Sequence, residues 1–170
     1  LLTVSRLTSH KGVDVAVAAL PRVLSRFPDA VYLVVGAGPD RDRVKELARR
    51  LGVGERVRFL GLVSDDTKGF CYRAADLYVG LSREAPSGVE GFGISFLEAN
   101  RHGLAVVAGR SGGVPDAVED GVNGVLVPPE SADAAAEAIA ELLVRPDRRA
   151  EMAAAGVRRI EQRYNWNAVT

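Results

Sequence analysis

Apolar positions along the chain fall into two recurring patterns. Short continuous runs (Leu1 to Ser5, Ala30 to Gly36, Arg56 to Gly61, Asp76 to Leu81, Ala105 to Ala108, Gly124 to Val127) have the length and make-up of strands covered on both faces. Amphipathic stretches stand between them. Lys11 to Phe27 carries Val13, Val17, Leu20 and Leu24 at spacings of three and four, the stripe of a helix, with Pro21 expected to interrupt or kink it. Pro39 suits the first turn of a helix that runs to Leu51. Ser64 or Asp65 caps a helix over Asp65 to Ala75. A polar loop, Arg83 to Gly91, leads into a helix over Phe92 to His102. Ser131 caps a helix with Ala135, Ile139, Leu142 and Leu143 on one face, and Pro146 opens a last helix that ends near Tyr164.

Strand and helix alternate about six times, which predicts an α/β fold with one parallel sheet and helices on both faces. Such Rossmann-like sheets bind ligands beyond the carboxyl ends of their strands, so the loops after strands hold the candidate chemistry. The chain of 170 residues reads as one domain, 1–170, without repeats or an internal linker.

Composition narrows the choice of ligand. Lys plus Arg and Asp plus Glu number 22 each, so the net charge is zero and nucleic acid is not expected as a partner. The lone cysteine, Cys71, excludes an internal disulfide, fits a reducing compartment and reads as a core residue. No apolar run reaches the length of a membrane span. The chain opens on a strand without Met, so it is expected to be an excerpt of a longer protein.

Three loops carry candidate chemistry. In the first, Arg6 and Lys11 flank a strand-to-helix turn. A planar donor fork and a compact cation there suit a phosphate pair, and two solvated surface cations are the bland alternative. His10, between them, is expected in solvent. The second, Gly36-Ala37-Gly38-Pro39-Asp40-Arg41, breaks the dinucleotide fingerprint at Arg41. No acidic residue closes the next strand, so its glycines are expected to ease a tight turn. Asp40 and Asp42 there read as first-turn acids of a helix. The third, Glu90-Gly91-Phe92-Gly93-Ile94-Ser95-Phe96-Leu97-Glu98, opens a helix whose amides at Phe92, Gly93 and Ile94 suit an anion, with Gly91 and Gly93 allowing close approach. Glu90 and Glu98 would repel phosphate and instead suit sugar and ribose hydroxyls; Phe96 and Leu97 belong to the core.

The order SRL…KG, GxGP, FLG, EGFG with a second Glu eight residues after the first, GGVPD and DGVNGVLVPP resembles the C-terminal half of the family 4 retaining glycosyltransferases (glycosyltransferase group 1) of GT-B architecture, over essentially the whole chain. The resemblance implies a nucleotide-sugar donor-binding domain, with an N-terminal acceptor domain absent. It implies transfer of a glycosyl group from a nucleoside diphosphate sugar (UDP or GDP) with retention, without a metal or other cofactor. It assigns Arg6 and Lys11 to the donor diphosphate, Glu90 to donor-sugar hydroxyls, and the amides of Phe92, Gly93 and Ile94 to sugar and phosphate oxygens. Glu98 falls to the ribose, and Gly61-Leu62-Val63, with Val63 at its end, to the base. A cytoplasmic location is implied, with any membrane association lying in the absent half at the inner face of the membrane. An aromatic such as Trp166 is expected where the C-terminal segment crosses back toward the first domain. A nucleotide-sugar epimerase of the same architecture and a non-catalytic nucleotide-sugar binding module are the alternatives. Two stretches depart from the family pattern. The loop Arg83 to Val89 is long, and Asn100-Arg101-His102-Gly103-Leu104-Ala105 replaces a run of small residues ending in G-x-P. His102 is expected to be structural or surface-lying.

Overall fold

A computed structural model describes residues 1–163 of the chain; Tyr164 and Trp166 lie outside the described residues. Six strands, β1 (Leu2–Val4), β2 (Tyr32–Val35), β3 (Val57–Gly61), β4 (Tyr78–Gly80), β5 (Val106–Gly109) and β6 (Gly124–Val127), form one sheet in the order β3-β2-β1-β4-β5-β6. Every neighbouring pair is parallel. Among the described residues seven α-helices accompany them: α1 (Val13–Leu24), α2 (Arg41–Arg50), α3 (Asp65–Ala74), α4 (Ile94–Arg101), α5 (Val114–Ala117), α6 (Ala132–Val144) and α7 (Pro146–Arg163).

The alternation of side chains along each strand divides the core in two. In β2, Tyr32 and Val34 join the layer beneath α1, α2 and α6, whereas Leu33 and Val35 join the layer beneath α3, α4 and α5. In β5 the split is Val107 to the first layer, Val106 and Ala108 to the second. Both faces need apolar residues, so the strands read as unbroken apolar runs. Cys71 lies in the second layer, 4% exposed, as a core residue. Among the described residues no helix is long and apolar enough to cross a membrane.

Several boundaries differ from the sequence reading. Helix α1 begins at Val13 because Ser9–Lys11 form a 3-10 turn that ends on Gly12 at φ 64°. It runs on through Pro21, whose missing N–H falls on the exposed side. Helix α2 begins at Arg41 and α4 at Ile94 rather than at Pro39 and Phe92. The Gly112-Gly113-Val114-Pro115-Asp116 turn is capped by the four-residue α5.

Among the described residues, two polar side chains sit in the core with no exposure at all, Asn100 on α4 and Asn123 before β6. Asn123 Nδ2 donates to Asn100 Oδ1 at 2.7 Å and to Ala117 O at 3.0 Å. Asn100 Nδ2 donates to Leu104 O at 2.9 Å, and Glu119 N donates to Asn123 Oδ1 at 2.7 Å. The pair is hydrogen-bonded on all sides, which is what makes its burial tolerable. It accounts for Asn100 in a stretch that departs from the family's small residues.

Candidate functional site

The strand order runs outward from the adjacent strands β1 and β4, so a crevice opens beyond their carboxyl ends. The loop after β1 carries Arg6 and Lys11; the loop after β4 carries Glu90. The first loop is braced from β2. Ser5 N donates to Val35 O at 3.0 Å, Leu7 N to Ala37 O at 2.9 Å, and Asp40 N to Leu7 O at 3.0 Å. A Cβ on Gly38 would stand 2.2 Å from Leu7 O. The G-x-G glycines therefore admit the neighbouring backbone, as expected of a tight turn.

Lys11 and Glu90, 79 residues apart in sequence, meet with Nζ 2.5 Å from Oε2, their side chains 19% and 11% exposed. Ser82 Oγ, just past the end of β4, donates to the same Oε2 at 3.1 Å. Arg6 is exposed, with no hydrogen-bond or ion-pair partner for its guanidinium among the described residues. His10 is not in open solvent: it is half-buried, with Nδ1 3.0 Å from Ser87 Oγ and 3.2 Å from Thr8 Oγ1. Burial, then the charge of Lys11, holds its pKa below the usual imidazole range, so it is neutral at pH 7.

The two loops are tied together at their rear. Arg83 N donates to His10 O at 2.8 Å. The Arg83 guanidinium forks onto Asp14 of α1 at 3.0 and 2.9 Å, and Arg43 of α2 reaches the same carboxylate at 3.2 Å. The long polar loop is thus a strap across the first helix.

Helix α4 starts at this crevice. Its N-cap is Gly93 at φ 82°, with no side chain capping the first amides, whereas Ser64 caps α3 and Ser131 caps α6. Helix α1 also starts on a left-handed glycine, Gly12, with its first-turn Asp14 Oδ1 accepting from Val15 N at 3.1 Å. Two helix starts on left-handed glycines therefore flank the Lys11–Glu90 pair, each with amides that lack an intrahelical acceptor and a partial positive charge. Gly93 is required twice over, because a Cβ there would also lie 2.3 Å from the Phe96 ring. Phe96 is 1% exposed, in the core as expected.

Glu98 lies one turn further along α4. Its Oε2 accepts from Tyr72 OH at 2.9 Å, and its Oε1 lies 3.6 Å from Lys68 Nζ. Its partners are thus on α3, in a cleft of about 580 Å³ between α3 and α4. The hydrogen bond from Lys68 to Asp65, then the charge of Glu98, raises the Lys68 pKa. The exposed imidazole of His102 stacks on Tyr72 with ring centres 5.0 Å apart. Gly61 closes β3 and its carbonyl accepts from Gly36 N at 2.8 Å; Leu62 is 84% exposed and Val63 packs on the second core layer. Gly91 and Ile94 are exposed and Phe92 is half-buried at the entrance of α4.

The structure thus brings Lys11 to Glu90, and Glu98 to α3. A second cleft of about 610 Å³, lined by Arg83, Arg110 and Ser111 together with Pro128 to Ser131, contains none of the predicted site residues. Tyr72, Lys68 and Ser82, which orient the two carboxylates, were not anticipated. Ser82 could have been noticed as a polar residue closing an apolar strand.

The chain is similar to known proteins over nearly its whole length. The family described as Glycosyl transferases group 1 matches residues 1–159. A GDP-mannose-dependent alpha-(1-6)-phosphatidylinositol monomannoside mannosyltransferase of Mycobacterium tuberculosis is 37% identical, covering 99% of this chain and 44% of the relative. A phosphatidyl-myo-inositol mannosyltransferase of Mycolicibacterium smegmatis is 40% identical over 95% of this chain and 40% of its own length. Among solved structures, Anabaena HepE in complex with UDP superposes with a TM-score of 0.85 at 31% identity, over 96% of this chain and 44% of HepE. The C-terminal domain of the Francisella tularensis group 1 glycosyl transferase LpcC gives 0.82 at 27% identity, over 97% of this chain and 85% of that domain. The chain spans less than half the length of the curated relatives it matches. With its sheet order, its crevice and a match over residues 1–159, the chain belongs to the glycosyl transferases group 1 family.

Proposed function

We propose that this chain is the donor-binding half of a retaining, metal-independent glycosyltransferase that uses a nucleoside diphosphate sugar. One observation carries the reading: Lys11 meets Glu90 at 2.5 Å between the glycine starts of α1 and α4, where the strand order reverses. A diphosphate placed there meets two helix N-termini, the Lys11 ammonium and the exposed Arg6 guanidinium. These donors would stabilise the charge that develops on the leaving nucleoside diphosphate, the task a metal performs elsewhere. Glu90, repelled by phosphate, faces sugar hydroxyls. Departure of the diphosphate gives the sugar oxocarbenium character, and the acceptor, held by a second domain, attacks from the same face. Glu98 takes the ribose, and the backbone near Val63 takes the base. Lys11 is neutralised by Glu90 before donor arrives, so binding exchanges one carboxylate partner for phosphate oxygens without desolvating a free ammonium.

The mycobacterial relative is named as GDP-mannose-dependent and HepE holds UDP, so these two bases are the ones to compare. Calorimetric titration of the full-length protein with UDP, GDP, ADP and NAD in EDTA tests the reading. Selective binding of one nucleoside diphosphate without metal supports it. Preference for NAD, or a strict need for a divalent cation, overturns it. Arg6→Ala and Lys11→Ala are expected to lower turnover by about 100-fold, the usual loss for one donor to a developing charge. Unchanged turnover would remove them from the diphosphate. An epimerase is separated from a transferase by product analysis with a sugar acceptor, and a non-catalytic module by the absence of any product.

A further inference from the structure

We propose that Tyr72 is a positioning residue for nucleotide binding: its hydroxyl, donating to Glu98 Oε2 at 2.9 Å, holds that carboxylate in the orientation that meets the ribose hydroxyls. The proposal rests on the reading of Glu98 as the ribose ligand. Glu98 is on α4 and its side chain is 38% exposed, so without a partner it would sample several rotamers. Tyr72 is 1% exposed and packed in the second core layer. Its ring stacks with His102, centres 5.0 Å apart and planes 7° apart, and with Tyr78, centres 6.1 Å apart. Tyr78 is fixed in turn, its hydroxyl donating to Val4 O at 3.0 Å at the end of β1. A chain of contacts therefore runs from the central strand to one oxygen of Glu98. Among the described residues the other oxygen has only Lys68, at 3.6 Å and itself shared with Asp65 at 3.1 Å. That oxygen remains available as an acceptor on the cleft side. Burial holds the Tyr72 phenol far above the usual tyrosine range, so it stays a donor at any working pH.

Preorganisation of this kind reduces what binding loses in side-chain entropy. Titrating the full-length protein with GDP and UDP, and with their 2′,3′-dideoxy analogues, isolates it. Tyr72→Phe keeps both ring stacks and removes one oxygen. It is expected to weaken binding of the preferred nucleoside diphosphate about three- to tenfold, less than the loss of a charge-assisted hydrogen bond to the ligand itself, because Glu98 and its own contact to the ribose remain. Binding of the dideoxy analogue should not change, because that ligand does not use Glu98. Glu98→Ala should weaken the ribonucleotide by at least as much, and Tyr72→Phe on top of Glu98→Ala should add nothing. A Tyr72→Phe loss that is equal for both ligands would mean a structural role and overturn the proposal. So would unaltered binding in Tyr72→Phe alongside weakened binding in Glu98→Ala. Unaltered binding in Glu98→Ala would instead overturn the ribose assignment itself.

Discussion

Two glycines in the Glu90–Glu98 segment look interchangeable in the sequence but are held by different forces. Gly93 sits at φ 82°, and a Cβ would lie 2.3 Å from a Phe96 ring that has no room to retreat. Gly91 has ordinary backbone geometry for an L-residue and open space where its Cβ would go. Gly93→Ala therefore incurs left-handed strain and overpacking together, about 3 kcal/mol. For a domain of this size that lowers the melting temperature by roughly 6–12 °C. Gly91→Ala should stay within about 0.5 kcal/mol of the parent. Differential scanning calorimetry of the two variants checks this, and equal melting temperatures would refute the account of Gly93. If Gly91 serves ligand approach, its variant loses nucleotide affinity while keeping its melting temperature. Stability and binding separate at two positions only two residues apart.

At the scale of elements, α4 and α7 meet where a helix residue runs against its own propensity. Gly156, inside α7, would normally gain about 1 kcal/mol on replacement by Ala. Here the new Cβ would lie 2.6 Å from Asn100 Cγ, and Asn100 is fixed by its bonds to Asn123 and Leu104. Gly156→Ala is expected to destabilise by about 2 kcal/mol, reversing the sign that helix propensity alone gives. Asn123→Ala would leave Asn100 Oδ1, Ala117 O and Glu119 N without their partners and cost about 3 kcal/mol. Urea unfolding measures both, and a stabilised Gly156→Ala would show that α7 does not pack as described. This region also marks how far the sequence could be read. Strands were legible because burial on both faces demands unbroken apolar runs, and α1 because its stripe repeats every three to four residues. A helix start after Glu90 was legible because its glycines and Glu90 are neighbours in the chain. Asn100 was visible only as a departure from the family pattern, because its partner is 23 residues away and no periodicity links them. The Tyr72–Glu98 bond spans 26 residues and the Lys11–Glu90 pair 79, and both arise from strand order, which local pattern does not specify. Helix α4 starts two residues later than the Phe92 of the sequence pattern because Gly93 adopts the left-handed conformation that starts the helix after it.

For the molecule as a whole, the two halves of the sheet share one crevice, and the strap across α1 connects its rims. Asp14 is the centre of that strap, 15% exposed at its side chain and gripped by Arg83, itself 14% exposed, and by the more open Arg43. Burial alone would raise the Asp14 pKa; the fork from Arg83 and the charge of Arg43 outweigh it and hold the carboxyl below its ordinary 3.8. A group whose folded pKa is depressed contributes stability above its unfolded pKa and loses it as pH falls through the folded one. The strap is therefore intact at neutral pH and fails only below about pH 4. Asp14→Asn keeps the shape and removes the charge, leaving Arg83 half-buried without its carboxylate. It should cost about 1–3 kcal/mol at pH 7, the range for a charge-assisted pair in a partly buried setting. Because the parent alone loses the Asp14 contribution in acid, the gap between the two proteins should narrow steadily below about pH 4. Urea midpoints from neutral pH into acid measure that gap directly. A gap that stays constant would mean that Asp14 titrates alike in the folded and unfolded chain, and that the guanidinium fork does not hold the loop. The strap anchors the segment that bears Glu90 and, through His10, the segment that bears Lys11. Asp14→Asn should therefore also weaken nucleoside diphosphate binding at pH 7, although Asp14 touches neither residue of the pair.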